Sequence, residues 1–558
     1  MKKLGNVTQK IGDKTMSEER SPLEQERLNY QPTLPNILSD ISNIYLTEGG
    51  PTSAAGDVEM LQGHFPNTFG RPSVSFEQGA SEPSHRPLRI GVVLSGGQAA
   101  GGHNVITGLY DGMQKLHPES KLFGFVGGPS GIVEKKYVQL TQELLADYRN
   151  MGGFDLIGSG RAKIETDEQL ASCLEIVQSL NLDGLVNIGG DDSNTNTAVL
   201  AEYFLSNDCP TKVIGVPKTI DGDLKNHKIE ISFGFDTAAK TYSEMIGNIA
   251  RDAFSAKKYY HFIRLMGRSA SHIALECALQ THPNVALIGE EVAVKKMTLE
   301  QISSEIADMI AARSAAGKDY GIVLIPEGLI GFVPEMKQLM KELNFLLAKE
   351  STESVANKLS RAAKTTFYFL PETIQKQLLL DRDPHGNVQV SHIETERLLI
   401  HSVKEKLQQR SDYKGKFKAL KHFFGYEGRS GFPSNFDATY AYALGNVAAV
   451  LVNAGITGYM TSVTNLAQPV QEWEAGGIPI TMLMKMEERK GRLKPVIQIS
   501  LVDLNGEPFA RFASQREKWA IGDHYRYPGP IQFSPESIAN QLTYTLQLEG
   551  QAKVTKPV

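Results

Sequence analysis

From residue 88 onward the chain alternates short apolar runs with amphipathic stretches of helical spacing. Leu88 to Leu94 is apolar and rich in β-branched residues, ends in Ser95-Gly96-Gly97, and precedes a helical stretch from about His103 to Leu116. The same grammar recurs at Leu182 to Ile188, which runs into Gly189-Gly190-Asp191-Asp192-Ser193 and a helix from about Thr195 to Leu205. Lys212 to Val216 leads into Pro217-Lys218-Thr219-Ile220-Asp221-Gly222-Asp223. Tyr260 to Leu265 leads into Met266-Gly267-Arg268 and a helix near Ser271 to Gln280; Tyr320 to Ile325 leads into Pro326-Glu327-Gly328. Thr166-x-x-Gln169 and Thr298-x-x-Gln301 read as capping boxes opening intervening helices. Short buried strands alternating with helices predict an α/β protein built on parallel, helix-covered sheets. In such sheets ligands bind beyond the carboxyl ends of the strands, where the glycine-rich and acidic clusters fall.

The flanks differ. Residues 1–86 hold seven of the 26 prolines and little apolar periodicity. They are either a disordered tail or an arm laid over the globular part, the latter because Leu34, Ile37, Leu38, Ile41 and Ile44 form an apolar stripe at helical spacing. Residues 331 to about 424 are rich in Lys, Glu, Gln and Leu with a 3.6-residue period (Leu339, Leu343, Leu346, Leu347), and predict a mainly helical insertion. The chain then returns to glycine-rich chemistry at Phe424-Gly425-Tyr426-Glu427-Gly428-Arg429-Ser430-Gly431. The stretch Tyr440 to Ile456, interrupted by Asn446 and Asn453, reads as a buried helix rather than a membrane span.

Composition narrows the function classes. The 558 residues carry 58 Lys+Arg against 63 Asp+Glu, a net charge of −5 that gives no basic footprint for nucleic acid. The three cysteines (Cys173, Cys209, Cys277) show no paired spacing, which argues against a disulfide framework or a Cys-based zinc site. No apolar run approaches a membrane span, and Met1-Lys2-Lys3 has no apolar segment behind it, so a soluble, cytoplasmic protein is expected. The 51 glycines are bunched at the strand ends.

Glycines there let backbone N–H groups approach an anion, and a following helix adds a favourable dipole. Ser95 to Gly102 is thus a candidate phosphate cradle, although it lacks the Walker pattern and a tight turn explains it equally well. The adjacent Asp191 and Asp192 repel each other unless a cation offsets them. Magnesium, which takes carboxylates together with phosphate oxygens, is the economical partner, with a solvated turn as the alternative. Lys218, Thr219, Asp221 and Asp223 lie within six residues, a set suited to activating an alcohol beside a bound phosphate. Phosphoryl transfer needs cations around the moving group, a metal, and a base on the acceptor. Lys218, Arg161, Arg268 and Arg429 supply the cations, Asp191 the metal ligand, and Asp221 the base.

Taken together, SGG, GGDDS, PKTIDGD, MGR, PEG and GYEGRSG, in this order, resemble the phosphofructokinases, and in detail the long, beta-subunit type that uses pyrophosphate. The resemblance runs from about Leu88 to the C-terminus, and Ser21 to Arg27 also resembles the start of the long forms. It implies two doubly wound, Rossmann-like parallel-sheet domains of the phosphofructokinase fold, with a helical insertion and an N-terminal arm. The expected division is an arm (1–86), a larger α/β domain on the diphosphate and magnesium side (87–235 and 430–480), a smaller one on the sugar-phosphate side (236–330 and 481–558), and the insertion (331–429). The implied reaction is reversible: fructose 6-phosphate plus diphosphate gives fructose 1,6-bisphosphate plus phosphate, with Mg2+.

By resemblance, Asp221 matches the base, with Lys218 and Arg268 as catalytic cations. Asp191 and Asp223 match metal-associated acids. Gly97, Arg161, Lys218 and Asp192 match the diphosphate site. Thr219, Ile220, Asp221, Tyr259, Met266, Gly267, Arg268, Glu327, Tyr426 and Arg429 match sugar-phosphate or neighbouring contacts. ATP-using relatives carry glycine at the place of Asp192 and usually at that of Lys218. A carboxylate at 192 would intrude on the α-phosphate of a nucleotide by bulk and like charge. Three positions depart from the short ATP enzymes: Gln98 replaces an acid, Tyr426 a histidine, and Tyr259 an arginine that a neighbouring subunit donates to the sugar 6-phosphate. Lys421 and Lys257 or Lys258 are candidate cations for that phosphate. A homodimer is therefore expected, with residues near Tyr259 reaching the neighbouring site. The competing readings are an ATP-dependent phosphofructokinase and a non-catalytic regulatory subunit; Asp192 and Lys218 oppose the first, the intact acids Asp191, Asp221 and Asp223 the second.

Overall fold

A computed structural model describes residues 20–79, 84–347, 352–380, 388, 392–489, 492–529, 531 and 542–555. Its strands, in chain order, begin with β1 (Ile44–Pro51), β2 (Pro72–Gln78), β3 (Arg89–Leu94), β4 (Lys121–Phe125) and β5 (Tyr137–Leu140). They continue with β6 (Gly184–Gly189), β7 (Lys212–Pro217), β8 (Tyr259–Leu265), β9 (Val285–Ala286) and β10 (Tyr320–Pro326). The last are β11 (Ala419–Phe424), β12 (Tyr459–Thr464), β13 (Glu474–Pro479), β14 (Met484–Arg489) and β15 (Arg492–Ile497).

Nine strands form one sheet in the order β1-β2-β13-β12-β7-β6-β3-β4-β5, and four form a second, β11-β8-β10-β9. At the centre of the first sheet β12, β7, β6, β3 and β4 run parallel, with Ile90, Val92 and Leu94 of β3 level with Gly184, Val186 and Ile188 of β6. Every residue of β6 is buried, as expected of a strand covered by helices on both faces. The second sheet is parallel throughout. The expected α/β class is what the chain adopts, but only the second sheet is parallel throughout; the first is parallel at its centre and antiparallel toward both edges, at β12–β13–β2–β1 and at β4–β5.

Helix Gly102–Leu116 lies against helix Asn435–Asn453, the buried helix anticipated near residues 440–456. The backbones meet at glycines: a Cβ on Gly108 would stand 2.2 Å from the Tyr442 carbonyl oxygen, and one on Gly445 2.2 Å from that of Val105. No side chain fits there, so alanine at either position would push the helices apart. Both expected capping boxes are formed, Thr166 with Gln169 and Thr298 with Gln301.

Three segments settle differently from the sequence pattern. The described part of the arm is ordered: β1 and β2 pair antiparallel and extend the first sheet through β13. Its apolar stripe forms two short 3-10 turns, Asn36–Leu38 and Ile41–Asn43, and the start of β1 instead of one helix. Pro35 and the N-capping Asp40 interrupt the helical run, while Leu38 and Ile41 still bury fully in the core. Residues 1–19 of the arm lie outside the described residues.

The insertion is helical over Pro334–Leu347, Thr352–Lys358, Arg361–Phe369, Glu372–Leu380 and Thr395–Gln409, and it shares a core with the second sheet, Leu339 and Leu343 with Phe262 and Val323. Its last stretch, Ala419–Phe424, is instead strand β11, an edge of that sheet. Finally, the β14–β15 hairpin packs not on the second sheet but beside the first, where Met484, Met486 and Ile497 share a cluster with Leu61, Phe65 and Ala198. Helix Glu507–Ile521 does lie beside the second sheet's helices.

Candidate active site

The carboxyl ends of β3, β6 and β7 are neighbours in the first sheet, and those of β10, β8 and β11 in the second. All glycine-rich and acidic clusters therefore leave the sheets at two edges, and the loops from these edges meet. After β3, Gly96 adopts φ +83°, and its amide donates to the Gly160 carbonyl (2.9 Å), seating the Gly158–Arg161 turn beside the cradle. A Cβ on Gly96 would lie 3.3 Å from Lys218 Nζ. One on Gly97 would lie 2.5 Å from Arg429 Nη2 and 3.6 Å from Arg161 Nη2. Three cations from three loops thus surround two bare glycines, a pocket shaped for an anion. Arg429 is steered there by donating to the Gln98 carbonyl (3.3 Å) and by stacking over Tyr426, while Ser430 Oγ donates to Gln98 Oε1.

Lys218 is buried, which pushes its ammonium down to about 8; Arg429 adds to the fall, and Asp221, Asp191 and Asp223 oppose it. Thr219 ties the following turn together, accepting from the Asp221 amide (3.0 Å) and donating to Asp223 Oδ1 (3.1 Å). Burial pushes the Asp223 carboxyl up to about 8, with Asp221 and Asp191 adding their charge. Burial also raises Asp191, together with its neighbour Asp192. Helix Asp191–Ser206 begins four residues earlier than the sequence pattern suggested, so both aspartates occupy its first turn. From the second sheet come Arg268, whose burial is outweighed by Asp221, Asp191, Glu327 and Asp223, and Glu327, which burial pushes up to about 7 and which accepts from the Gly267 amide (3.1 Å).

Asp221, Asp223 and Asp191 crowd one another, and two of them are held toward the protonated form. A divalent cation would relieve that crowding. Among the described residues no group of three or more His, Cys, Asp or Glu forms a ready-made cage. The donor set suits an ion that takes one or two carboxylates and completes its shell with phosphate oxygens, as magnesium does.

Asp192 behaves differently from Asp191. Burial would raise it, but Lys163 (3.0 Å) and Arg489 (2.9 Å) both donate to its Oδ1 and hold it below the usual carboxylate range. Neither cation was singled out from sequence. Lys163 stands two residues beyond Arg161 and was within reach of the same argument. Arg489 lies in a charged run some 300 residues from Asp192 and gave no signal.

Not every expected residue joins the cluster. Tyr259 opens β8 at the amino end of the strand, opposite to Arg268; seven residues at ~3.3 Å each put it roughly 20 Å from this cleft. The Ile220 side chain is buried in the core, so only its backbone is available to a ligand. Lys421 is engaged with Glu394, away from the strand end. Tyr426 stands 71% exposed, with Arg429 stacked over its ring.

Glycine cradle, convergent cations and crowded carboxylates meet between two Rossmann-like layers, an arrangement suited to a phosphorylated ligand. The Phosphofructokinase family profile matches residues 89–452, and the chain belongs to that family. A Porphyromonas gingivalis protein named pyrophosphate–fructose 6-phosphate 1-phosphotransferase is 52% identical over 95% of this chain and 99% of its own. The beta 1 subunit of the enzyme of that name from Arabidopsis thaliana is 53% identical over 95% and 94%. The crystal structure of a pyrophosphate-dependent phosphofructokinase from Marinobacter aquaeolei superposes with a TM-score of 0.53 at 16% identity, covering 82% of this chain and 95% of its own, a likeness of fold.

Proposed function

We propose that this chain transfers a phosphoryl group reversibly between diphosphate and the 1-hydroxyl of fructose 6-phosphate, giving fructose 1,6-bisphosphate and phosphate. The observation that carries the reading is the meeting of Lys218, Arg161 and Arg429 around Gly96 and Gly97, next to Asp221 and Arg268. In the forward direction Asp221 takes the proton of the sugar hydroxyl. The sugar oxygen bonds to the near phosphorus as the bond to the bridging oxygen breaks, and phosphate leaves with the bridging oxygen. Lys218, Arg161 and Arg429 hold the diphosphate, and Arg268 faces the reacting oxygens; fixed cations in a dry site stabilise charge at no cost of reorganisation. Thr219 keeps the Asp221 turn in place, and Glu327, Met266, Gly267 and Tyr426 border the sugar phosphate. Asp191 and Asp223 would hold Mg2+, which supplies charge neutralisation for the phosphate oxygens.

A coupled assay supplied in turn with diphosphate and with ATP tests the reading: turnover with diphosphate and hardly any with ATP is expected. Equal rates with the two donors would overturn it. The pH dependence supplies a second test, on its alkaline limb. Lys218 is charged below about 8 and loses its proton as the pH rises through that value, so kcat/KM for diphosphate declines there. Lys218→Arg should flatten that limb, because a guanidinium keeps its charge, and an unchanged limb would assign it to another group.

The division into a diphosphate side on the first sheet and a sugar side on the second follows from the same reading. The far placement of Tyr259 supports a homodimer in which this end of β8 serves the neighbouring copy's sugar site. Sedimentation at assay concentration should give a dimer; a fully active monomer would contradict it. Cys173, Cys209 and Cys277 are free and buried, which supports a reducing, cytoplasmic setting. Among the described residues no helix is long and apolar enough to cross a membrane.

A further inference from the structure

Asp192 presents a physical difficulty. A carboxylate beside the diphosphate pocket excludes a nucleotide, but by the same charge it repels diphosphate. The structure offers a resolution in the two cations that share its Oδ1, Lys163 Nζ at 3.0 Å and Arg489 Nη1 at 2.9 Å. They come from different directions. Lys163 follows the Gly158–Arg161 turn that lines the cradle, and Arg489 ends β14 of the hairpin. The hairpin itself is fixed independently of Asp192. Lys494 pairs with Glu165 (3.0 Å), the Ile497 amide donates to Thr195 Oγ1 (3.3 Å), and the arm holds β14 through Asp57 accepting from the Met486 amide (2.9 Å). Arg489 is therefore delivered to Asp192 by a framework that exists without the pair.

Two cations meet Asp192, and Glu487 accepts from Arg489 Nε (3.4 Å) on the far side, so the charge of the Asp192 carboxylate is offset toward an incoming anion while its atoms stay in place as a steric barrier. We propose that Lys163 and Arg489 are positioning residues for donor choice: they neutralise and fix Asp192, so that it bars a nucleoside triphosphate without repelling diphosphate. The proposal rests on the diphosphate reading above, and it adds two residues that act through a third. Asp192 is about half exposed and its partners partly so, which limits the direct stabilisation of the fold by this cluster; its effect is on the field that the donor meets.

Steady-state kinetics of the full chain with diphosphate and with ATP test it. Arg489→Gln and, from the other element, Lys163→Gln should each raise KM for diphosphate roughly tenfold with kcat changed less than about twofold, and Arg489→Lys should recover most of the loss. On an Asp192→Asn background, where no charge remains to be neutralised, Arg489→Gln should change KM by less than about twofold. Lys494→Gln, which releases a hairpin tie but leaves Asp192 paired, should behave as the unaltered chain. Equal effects of Arg489→Gln with and without Asp192 would mean that Arg489 binds diphosphate directly and would overturn the proposal. So would an effect of Lys494→Gln as large as that of Arg489→Gln. Absence of diphosphate turnover in the unaltered chain would instead sink the functional reading, and the proposal with it.

Discussion

Asp221→Asn should lower kcat with diphosphate by about 10³- to 10⁴-fold, the upper range for loss of a general base. The amide keeps the shape of the side chain but cannot take the sugar proton. The surrounding turn should survive, because it is held by the backbone amide of residue 221 on Thr219 and by Thr219 on Asp223, neither of which uses the Asp221 carboxylate. KM for fructose 6-phosphate should accordingly move by less than about threefold, since the loss belongs to the transition state. The measurement is kcat and KM from the coupled assay, with the thermal midpoint as a fold control. A fall of less than about tenfold with the fold intact would remove Asp221 from the role of base. Removing a carboxylate from the crowd should also ease the ionisation of Asp223, which Asp221 holds up after burial.

The second large effect concerns the donor. In Asp192→Gly combined with Lys218→Gly, diphosphate use should fall by about 10²-fold in kcat/KM or more, and ATP should be admitted. A charge pair about 4 Å apart at an effective dielectric near 20 is worth a few kcal/mol before desolvation, of which about 3 kcal/mol suffices for that factor. Lys218 sits where its Nζ faces the Gly96 turn, so its loss opens room and removes a cation in the same place. Asp192→Gly takes away the carboxylate that Lys163 and Arg489 hold in position. The ratio of kcat/KM for ATP to that for diphosphate should therefore rise by more than either single variant achieves. A ratio that does not move would show that donor choice resides elsewhere in the cleft.

The strand–glycine–helix rhythm makes the parallel strands legible in the sequence, because each turn of the pattern is local: an apolar run of strand length, glycine, then a capped helix. Gly97, Asp191, Lys218, Asp221, Arg268 and Arg429 were legible for the same reason, each standing at the end of a run. The arm was harder. Its prolines and weak periodicity leave both tail and arm open, and pairing with β13 is what orders β1 and β2. β11 was absorbed into the helical insertion, because an exposed-edge strand with Lys421 and His422 carries no continuous apolar run. The β14–β15 hairpin lies within the stretch expected with the second sheet (481–558) yet packs beside the first, since its sequence says nothing of which sheet it joins.

What the sequence by itself determined is the kind of chemistry and the elements that carry it: short-range spacing fixes which residues end a strand, and those residues supply acids, cations and bare backbone. What only the tertiary structure decided is how these groups act on one another. Whether Lys218 is driven down to about 8, whether Asp223 is driven up to about 8, and whether Asp192 is neutralised depend on burial and, besides the sequence neighbour Asp221, on charges the fold brings in from elsewhere: Arg429 and Asp191 at Lys218, Asp191 at Asp223, Lys163 and Arg489 at Asp192. Electrostatic interaction follows distance in space, and separation along the chain does not report it. That is why adjacent aspartates, alike in sequence, end with their pKa values shifted in opposite directions, Asp191 raised by burial and Asp192 lowered between Lys163 and Arg489.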